Sequence, residues 1–361
     1  MELDYILSKD KLDFAEICYL LAAEKENEIE KIRSHAENIL LKTVGNEVAL
    51  RGLIEFSNYC TRDCYYCGIR KSNYDNARFM LSEEEIYECA IWAMEKNFAS
   101  LVLQSGERDD EQFIDFVVKV IKNIKKKTTT KELPQGLGIT LSVGEQTFET
   151  YKRFFDAGAH RYLLRIETTN TKLFKELHPK EQTIEKRINC LEHLKDIGFQ
   201  VGTGVMIGFP NQTVEDLARD IMFFKEIDVD MVGMGPFIPH HSTPYAKYDF
   251  DKDRNIQLAL KMIAVLRITM PYINIASTTA LETLSKDGRA LGLTYGANVV
   301  MPQLTPVSYK NKYLLYDNKP DIDEQQEAIL EMMKKSFSAI NRKIAFGKWG
   351  DSLHFQNKTQ I

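Results

Sequence analysis

Ala-Leu-Arg-Gly-Leu-Ile-Glu-Phe-Ser at residues 49–57 is a short apolar run, and Cys-Thr-Arg-Asp-Cys-Tyr-Tyr-Cys at residues 60–67 follows it almost at once. A short apolar run bounded by polar and turn residues is typical of a buried strand. Seven further runs of this kind alternate with amphipathic helical patterns along the chain. The sequence therefore predicts the α/β class, with a parallel sheet and helices on its outside.

The alternation is regular enough to predict a strand number. We expect strands over residues 49–57, 100–105, 137–143, 161–167, 201–207, 231–238, 273–278 and 297–302. Between them we expect helices over residues 82–96, 110–126, 145–156, 183–197, 214–227, 253–269 and 283–291. Helix starts carry capping signals, such as Ser82 followed by Glu85, and Thr213 followed by Asp216. Eight strands alternating with helices favour a (β/α)₈ TIM-type barrel over an open sheet.

The domain organisation follows from the same pattern. Residues 1–45 predict an N-terminal helical extension, with helices over residues 11–23 and 28–43. Residues 46–316 hold the barrel, and residues 317–361 predict a C-terminal helical segment that closes it. No long linker rich in Pro, Gly or Ser divides the chain.

The charge and composition of the chain argue against several classes of protein. The net charge of −5 offers no electrostatic footprint for nucleic acid or an anionic membrane. No stretch approaches the roughly 18 apolar residues of a membrane span, and the first residues lack signal-peptide character. We therefore expect a cytoplasmic protein. Cys18, Cys89 and Cys190 are scattered in helical apolar patterns and are interpreted as buried thiols.

Cys60, Cys64 and Cys67 form a Cys-x₃-Cys-x₂-Cys triplet. Thiolates are soft ligands that suit zinc, copper(I) or iron–sulfur clusters. A structural zinc site would normally be completed by a fourth Cys or His at motif spacing, and the next histidine is His160. Three ligands on a four-iron cluster leave one iron open. The triplet therefore favours a cluster with an open iron over three buried cysteines or a zinc site.

Polar residues follow several predicted strands at the end where barrel enzymes place their active sites. The cysteine triplet follows the first strand. The others are Ser105, Gly106 and Glu107 after the second strand, Ser142 and Glu145 after the third, Arg165 and Glu167 on the fourth, and Thr278 and Thr279 after the seventh. Capping and loop residues would account for one or two of these, but a ring on most strands indicates a site.

The triplet, with the aromatic Tyr66 before its third cysteine and a barrel strand before its first, resembles the motif of the radical S-adenosylmethionine (SAM) superfamily. The resemblance implies an enzyme with one [4Fe–4S] cluster, held by Cys60, Cys64 and Cys67. It also implies that the open iron chelates SAM, and that reductive cleavage gives methionine and a 5′-deoxyadenosyl radical.

Within that superfamily the chain resembles the [FeFe]-hydrogenase maturase family HydE and, more distantly, biotin synthase and methylornithine synthase. The segments that carry the HydE resemblance keep the same order over residues 45–316. They are residues 54–58, 103–107, 161–168, 231–239, 277–280 and 296–302.

The resemblance implies roles for individual residues around SAM. Glu107 matches the glutamate that binds the amino group, and Arg187 matches an arginine that pairs with the methionyl carboxylate. Glu167 matches the residue that holds the ribose hydroxyls. The remaining expected cofactor contacts are Tyr66, Ser142 and Met206, the last in a segment that lies beside adenine.

Other residues are expected to bind the substrate. An arginine facing two hydroxyls suits a small anion such as an amino-acid carboxylate, and HydE resemblance places such a site at Arg165, Thr278 and Thr279. Pairing of Arg165 with Glu167 on the same strand face is the alternative. Gln104 and Tyr309 complete the expected set. Tyr309 lies with Tyr313 and Tyr316 in a region that would close the lower cavity or pack as aromatic core.

Two departures from HydE are visible. Position 166 is Ile where some HydE sequences carry His, so this residue cannot donate a proton. Residues 317–361 contain no cysteine, whereas some HydE proteins bind an extra cluster there. The sequence therefore supports one cluster.

The resemblance implies H-cluster assembly as the function, with a small cysteine-bound iron complex carrying carbonyl and cyanide ligands as substrate. Another maturase would deliver it, and ferredoxin or flavodoxin would donate electrons. The alternatives are an amino-acid mutase akin to methylornithine synthase and a non-catalytic iron–sulfur carrier. Sulfur insertion is disfavoured because no spare cysteine group could hold a second cluster. A carrier would have no use for Glu107, Glu167 and Arg187.

Overall fold

The computed structural model describes residues 2–359. Residues 1, 360 and 361, at the outer ends of the two predicted helical segments, lie outside the described residues. The strands are β1 Glu47–Leu50, β2 Gly52–Ser57, β3 Ser100–Ser105, β4 Gly138–Ser142, β5 Arg161–Leu163, β6 Gln200–Thr203, β7 Met206–Ile207, β8 Met231–Val232, β9 Gly235–Pro236, β10 Asn274–Ile275, β11 Val299–Val300 and β12 Lys343–Ile344.

Helices occupy most of the chain between these strands. They are α1 Leu3–Leu7, α2 Phe14–Leu21, α3 Glu26–Thr43, α4 Glu83–Glu95, α5 Glu111–Lys127, α6 Phe148–Ala157, α7 Thr171–Leu177, α8 Ile184–Ile197, α9 Val214–Glu226, α10 Lys252–Thr269, α11 Thr279–Leu284, α12 Gly288–Thr294, α13 Val307–Lys310, α14 Gln326–Ala339 and α15 Leu353–Thr359. The expected capping boxes are present at Ser82 with Glu85 and at Thr213 with Asp216.

The barrel is confirmed as a parallel ring. Seven strands form one sheet in the order β10-β8-β6-β5-β4-β3-β2, and each pairs with its neighbours in parallel. The residues around β11 bond to both edges of that sheet. Ser277 N donates to Val299 O at 2.9 Å on one side, and Leu53 N donates to Pro302 O at 2.8 Å on the other. This eighth element closes the ring.

Several expected strands are divided or shortened. The run over residues 49–57 splits into β1, which pairs with β11 and β12, and β2, which pairs with β3. The fifth and sixth runs split where Gly204 lies against the Gly233 carbonyl, an approach that leaves no room for a Cβ atom. The fourth run ends as a strand at Leu163, because the chain turns before Glu167, which has a φ of 66°.

The expected helix over residues 283–291 is two helices. α11 ends at Leu284 and α12 begins at Gly288, and Asp287 between them has a left-handed φ of 58°. The break turns the chain after the seventh strand and places the first turn of α11 at the mouth of the barrel.

The core has two layers, as the sequence pattern requires. β3 is buried on both faces because it lies between the barrel interior and the outer helices. α10 is buried almost all round, since α2 and α3 of the N-terminal extension pack on its outer side. No helix within residues 2–359 is both long and apolar enough to cross a membrane.

Both ends of the barrel are covered by the C-terminal part of the chain. Residues 313–319 cross the end formed by the carboxyl termini of the strands, where Leu315 O accepts a hydrogen bond from Gly68 N at 2.9 Å. Residues 349–352 cross the opposite end, where Gly350 O accepts from Arg51 Nη2 at 3.0 Å and from Asn274 Nδ2 at 2.9 Å. We call these the upper strap and the lower plug.

Candidate active site

A cavity of about 310 Å³ lies inside the barrel at the carboxyl ends of its strands, beneath the upper strap. Its wall contains thirteen of the fourteen residues that the sequence predicts for the site. They are Cys60, Cys64, Tyr66, Cys67, Gln104, Glu107, Ser142, Arg165, Glu167, Arg187, Met206, Thr278 and Thr279.

The cysteine loop, residues 58–68, is held by its own backbone and by the barrel. Asn58 anchors its start, because the side-chain amide donates to Lys312 O at 2.7 Å and Oδ1 accepts from Phe79 N at 2.7 Å. Cys67 N donates to Cys64 O at 3.2 Å. The loop therefore presents its thiols to the cavity from a fixed frame.

The environment of the three thiols is largely apolar. Burial raises the pKa of Cys60, raises that of Cys64 to about 12, and raises that of Cys67 well above its ordinary value. No disulfide joins them; all three are free. Without a metal they are neutral thiols, so metal binding must supply the free energy that deprotonates them.

Glu107 sits directly beside the cysteine loop. A Cβ atom at Gly106 would collide with the Tyr59 carbonyl, so this position needs glycine for the loop to lie so close. Glu107 N donates to Cys60 Sγ at 3.4 Å, and Glu107 Oε1 accepts a short hydrogen bond from Arg62 Nε. Burial raises the pKa of the Glu107 carboxyl, and the Arg62 charge opposes that shift.

Arg187, another residue of the cavity wall, is held by the carboxylate of Glu145, a pairing that the sequence did not predict. Its Nε donates to Glu145 Oε1 at 2.7 Å, and its Nη1 donates to Arg165 O at 2.7 Å. Burial would lower the pKa of Arg187, but the Glu145 charge raises it above the ordinary value. Within residues 2–359 the third nitrogen, Nη2, makes no hydrogen bond, so it is available to a ligand in the cavity.

The expected substrate wall consists of polar groups with unused hydrogen-bonding capacity. Arg165 Nη2 donates to Val205 O at 2.8 Å and lies 3.1 Å from Glu167 Oε2, so the expected alternative pairing of these two side chains is present. Two buried atoms here nevertheless have no hydrogen-bond partner in the described chain: Arg165 Nε and Thr278 Oγ1.

An apolar cluster forms the side of the cavity at Tyr66 and Met206. Both pack against the buried rings of Phe209 and Phe237, which stack with centroids 4.4 Å apart. The Tyr66 hydroxyl is 3.3 Å from His178 Nε2. The cluster offers a flat, apolar surface of the kind that an adenine ring needs.

A buried ion pair involves Glu55 on β2, the strand that leads into the cysteine loop. Lys319 Nζ, on the upper strap, bonds both Glu55 oxygens at 2.5 and 2.6 Å. Burial raises the pKa of Glu55, and Lys319 opposes the shift. Gln104 Nε2 donates to the Tyr313 hydroxyl at 3.3 Å, so the strap is fixed to the barrel at two levels.

Tyr309 is the one expected site residue that does not line the cavity. Its hydroxyl donates to Glu85 Oε1 at 2.8 Å and its ring packs on Phe79 at 5.1 Å, outside the barrel wall. The helix α13 turns it away, and Tyr313 and Tyr316 occupy the cavity wall instead.

Four cavity residues with a charged or amide side chain were not predicted from the sequence: Glu55, Arg62, Gln182 and Lys319. Glu55 did carry a signal, because it is a charged residue inside a strand that is buried throughout. Arg62 lies within the cysteine triplet. Gln182 and Lys319 belong to connecting segments without periodic pattern, and they reach the cavity through tertiary packing alone.

These groups fit a [4Fe–4S] cluster and SAM. The donor set is three soft thiols on one loop, with no fourth protein ligand among the cavity-lining residues. Beside it lie a carboxylate suited to an ammonium group, a free guanidinium nitrogen suited to a carboxylate, and an apolar cluster suited to adenine. Two buried polar atoms without partners in the described chain, Gln182 Nε2 and Thr278 Oγ1, are explained by a ligand that occupies the cavity.

Comparison with protein families gives two matches. The family described as Radical SAM superfamily matches residues 54–224, and the Biotin and Thiamin Synthesis associated domain matches residues 235–335. The first range contains the cysteine loop, and the second contains the upper strap.

Relatives of the whole chain are also found. The chain is 43% identical over 308 residues to the [FeFe] hydrogenase maturase subunit HydE of Thermotoga maritima, covering 85% of each protein. It is 30% identical over 321 residues to 3-methylornithine synthase of Methanosarcina acetivorans, covering 88% of this chain and 86% of the relative.

Among solved structures, methylornithine synthase (PylB) superposes with a TM-score of 0.79 at 26% identity, covering 96% of this chain and 97% of the other. The FeFe-hydrogenase maturase HydG from Carboxydothermus hydrogenoformans superposes with a TM-score of 0.78 at 19% identity, covering 95% and 79%. The HydG likeness concerns the fold alone.

Proposed function

The chain belongs to the radical SAM superfamily, in the family of the [FeFe] hydrogenase maturase subunit HydE, and on this premise we propose that it is a HydE-type maturase. Its substrate would be a small cysteine-bound iron complex with carbonyl and cyanide ligands. The observation that carries the proposal is the polar wall at Arg165, Thr278 and Thr279 in a protein 43% identical to HydE.

The cysteine loop is proposed to hold the cofactors. When bound, the cluster and SAM supply a reducing electron and a 5′-deoxyadenosyl radical. Cys60, Cys64 and Cys67 would hold the cluster by their three thiolates and would leave one iron open to SAM. Glu107, which Arg62 fixes by one oxygen, offers the other oxygen to the ammonium group of SAM. Arg187, which Glu145 fixes through Nε, offers Nη2 to the methionyl carboxylate.

The substrate is proposed to lie across the cavity from the cysteine loop. A cysteine-bound complex carries a carboxylate, which the guanidinium of Arg165 and the hydroxyls of Thr278 and Thr279 are suited to bind. Arg165 Nε and Thr278 Oγ1 are buried without partners among residues 2–359, so a ligand at this wall would satisfy both atoms. Gln104, on β3, is the remaining expected residue of this wall.

Closure of the cavity supports radical chemistry in particular. The upper strap covers the barrel mouth and is fixed to the barrel by the Lys319–Glu55 pair. The strap restricts access to the cavity, which protects a carbon-centred radical from hydrogen-atom donors outside the barrel.

The second candidate is an amino-acid mutase of the methylornithine synthase type. The same Arg165 wall would bind the carboxylate of an amino acid, and the 30% identity to 3-methylornithine synthase over 88% of the chain supports this alternative. It differs from the first candidate in substrate and not in cofactors.

The expected partners and location follow from the same proposal. We infer that the protein works in the cytoplasm beside another maturase that delivers the substrate, and receives electrons from a ferredoxin or flavodoxin. An oxygen-sensitive cluster held by three cysteine thiolates needs a reducing compartment, which supports this location.

An anaerobic assay separates the two candidates. The reconstituted protein, SAM and a reductant would be combined with an immature [FeFe]-hydrogenase and the partner maturases, and hydrogenase activity would be measured. A parallel assay would test lysine, the isomer of 3-methylornithine, as substrate. Hydrogenase activity that depends on this protein supports the proposal. Formation of 3-methylornithine without hydrogenase activation would contradict it.

A further inference from the structure

Residues 178–183 connect α7 to α8, and together with Leu177 at the end of α7 they run along the cysteine loop. Leu177 O accepts a hydrogen bond from Tyr65 N at 2.9 Å. His178 Nδ1 lies 2.9 Å from Phe174 O, which can only accept, so Nδ1 carries the proton and Nε2 is free to accept from Tyr66. This connecting segment therefore braces two consecutive residues of the cysteine loop.

Gln182 makes the third contact, with a cluster ligand itself. Its Oε1 lies 3.5 Å from Cys64 Sγ, where the thiol donates to the amide oxygen. The side chain is only 4% exposed and lines the cavity. Its amide nitrogen Nε2 is buried without a hydrogen-bond partner in residues 2–359.

This arrangement suits a thiol but not an iron-bound thiolate. Once Cys64 binds iron, its sulfur has no proton to donate, and the amide oxygen would face a negative sulfur. Rotation of the amide by half a turn exchanges Oε1 and Nε2, two groups of nearly equal size. The rotated amide donates N–H to the sulfur, and the buried nitrogen gains the partner that it lacks.

We propose that Gln182 donates a hydrogen bond from Nε2 to the iron-bound sulfur of Cys64 and thereby raises the reduction potential of the cluster. Reduction adds negative charge that is shared with the ligand sulfurs, so an N–H donor stabilises the reduced state more than the oxidised one. Burial of both groups strengthens this effect, since the interaction is poorly screened there.

Gln182 is thus a positioning and tuning residue, not a ligand or a group that touches the substrate. The inference concerns the cluster alone, so it holds whichever substrate the enzyme turns over. Its test needs no substrate and cannot be confused with failure of the proposed function.

The test is a redox titration of the reconstituted full-length protein without SAM, followed by the EPR signal of the reduced cluster. Gln182→Met keeps the volume and removes the N–H donor. At a fixed solution potential we expect the reduced-to-oxidised ratio to fall about tenfold, which corresponds to about 59 mV for a one-electron couple. Glu181→Gln is the matched control, because Glu181 is exposed and makes no hydrogen bond to the cysteine loop. Its titration should match the wild type.

An unchanged potential in Gln182→Met, with the iron content intact, would overturn the proposal. A second measurement decides the matter if that variant loses its cluster. Pulsed EPR of the reduced wild-type protein, with ¹⁵N in the glutamine side-chain amides, should detect a weakly coupled amide nitrogen at the cluster. Absence of that coupling would equally overturn the proposal.

Discussion

Arg161 begins β5 and Arg165 lies two residues beyond its end, and the two side chains are used in opposite ways. Arg161 is fully buried at the lower end, and its side-chain nitrogens bond Thr140, Ser100 and Asp351. Arg165 lines the upper cavity, and its Nε has no partner among the described residues.

One barrel thus separates groups that stabilise the fold from groups that can bind a ligand. At the lower end, protein groups accept hydrogen bonds from every nitrogen of the Arg161 guanidinium. At the upper end, the cavity wall keeps donors without partners, an arrangement that costs stability until a ligand binds.

The largest expected effect lies at the cysteine loop. Replacement of any one of Cys60, Cys64 or Cys67 with Ala removes one of three protein ligands, so the cluster should be lost or labile and SAM cleavage abolished. Iron content and 5′-deoxyadenosine formation measure this. Cys18→Ser, Cys89→Ser and Cys190→Ser serve as controls that should retain the cluster at a packing cost of at most a few kcal/mol. Near-normal cleavage in all three ligand variants would contradict the site assignment.

The substrate wall should separate turnover from cofactor chemistry. Arg165→Lys, and the double change Thr278→Val with Thr279→Val, should abolish turnover of the natural substrate because the carboxylate site is lost. SAM cleavage should persist in both, since the cofactor groups are unchanged. The two activities are measured in parallel. Full maturation activity in either variant, or loss of SAM binding in the threonine variant, would show that the substrate lies elsewhere.

The lower arginine should matter for stability and the upper one should not. Arg161→Met breaks a buried ion pair with Asp351 and should lower the free energy of unfolding by about 3–5 kcal/mol. Arg165→Met is the matched change just beyond the end of β5, and it should alter stability by no more than about 1 kcal/mol. Anaerobic thermal unfolding compares the two. Equal destabilisation would mean that the two ends are not specialised.

Substitution of the residues expected to bind SAM should weaken SAM binding. Arg187→Ala removes the guanidinium expected to pair with the methionyl carboxylate, and should weaken SAM binding by about 2–5 kcal/mol. Part of the cost will be the Glu145 carboxylate left buried without its partner. Glu107→Gln should also weaken binding, at the ammonium group. SAM titrations of the reconstituted variants measure both effects, and unchanged affinity in both would mean that the cofactor is misplaced.

The smallest effect concerns pH and the lower plug. Burial lowers the pKa of His160 to about 4, so the unfolded chain, with the ordinary histidine pKa near 6.5, binds a proton that the folded protein does not. Stability is therefore complete above pH 6.5 and falls as the pH drops towards 4. His160→Phe keeps the packing on Trp349 and removes this titration. Its unfolding temperature should depend less on pH between 6.5 and 4; an unchanged slope would contradict the assignment.

Much of the site could be predicted from the sequence because its motifs are local. The cysteine triplet occupies eight residues, and barrel topology brings Glu107, Arg165 and Thr278 to one end, whatever the details of packing. Gln182 and Lys319 could not be predicted, since no periodicity marks the segments that carry them. Tyr309 was expected in the cavity but lies outside it. The orientation of its side chain depends on the short helix α13, which the sequence pattern did not predict.

The alternation of strands and helices could be predicted from the sequence, but the ends of the strands could not. The eight apolar runs predicted the barrel because barrel strands are buried on both faces. The break at Gly204 depends on how closely Gly233 approaches, and the early end of β5 depends on a left-handed Glu167. Both are three-dimensional conditions that a run of apolar residues does not encode.

We propose that the upper end of the barrel holds one cluster on three cysteines, with its open iron available to SAM. Anaerobic reconstitution, iron analysis and EPR of the reduced protein before and after SAM addition test it together. We expect about four irons per chain and an EPR spectrum that changes on SAM addition. About eight irons per chain, or a four-iron spectrum that does not respond to SAM, would contradict it.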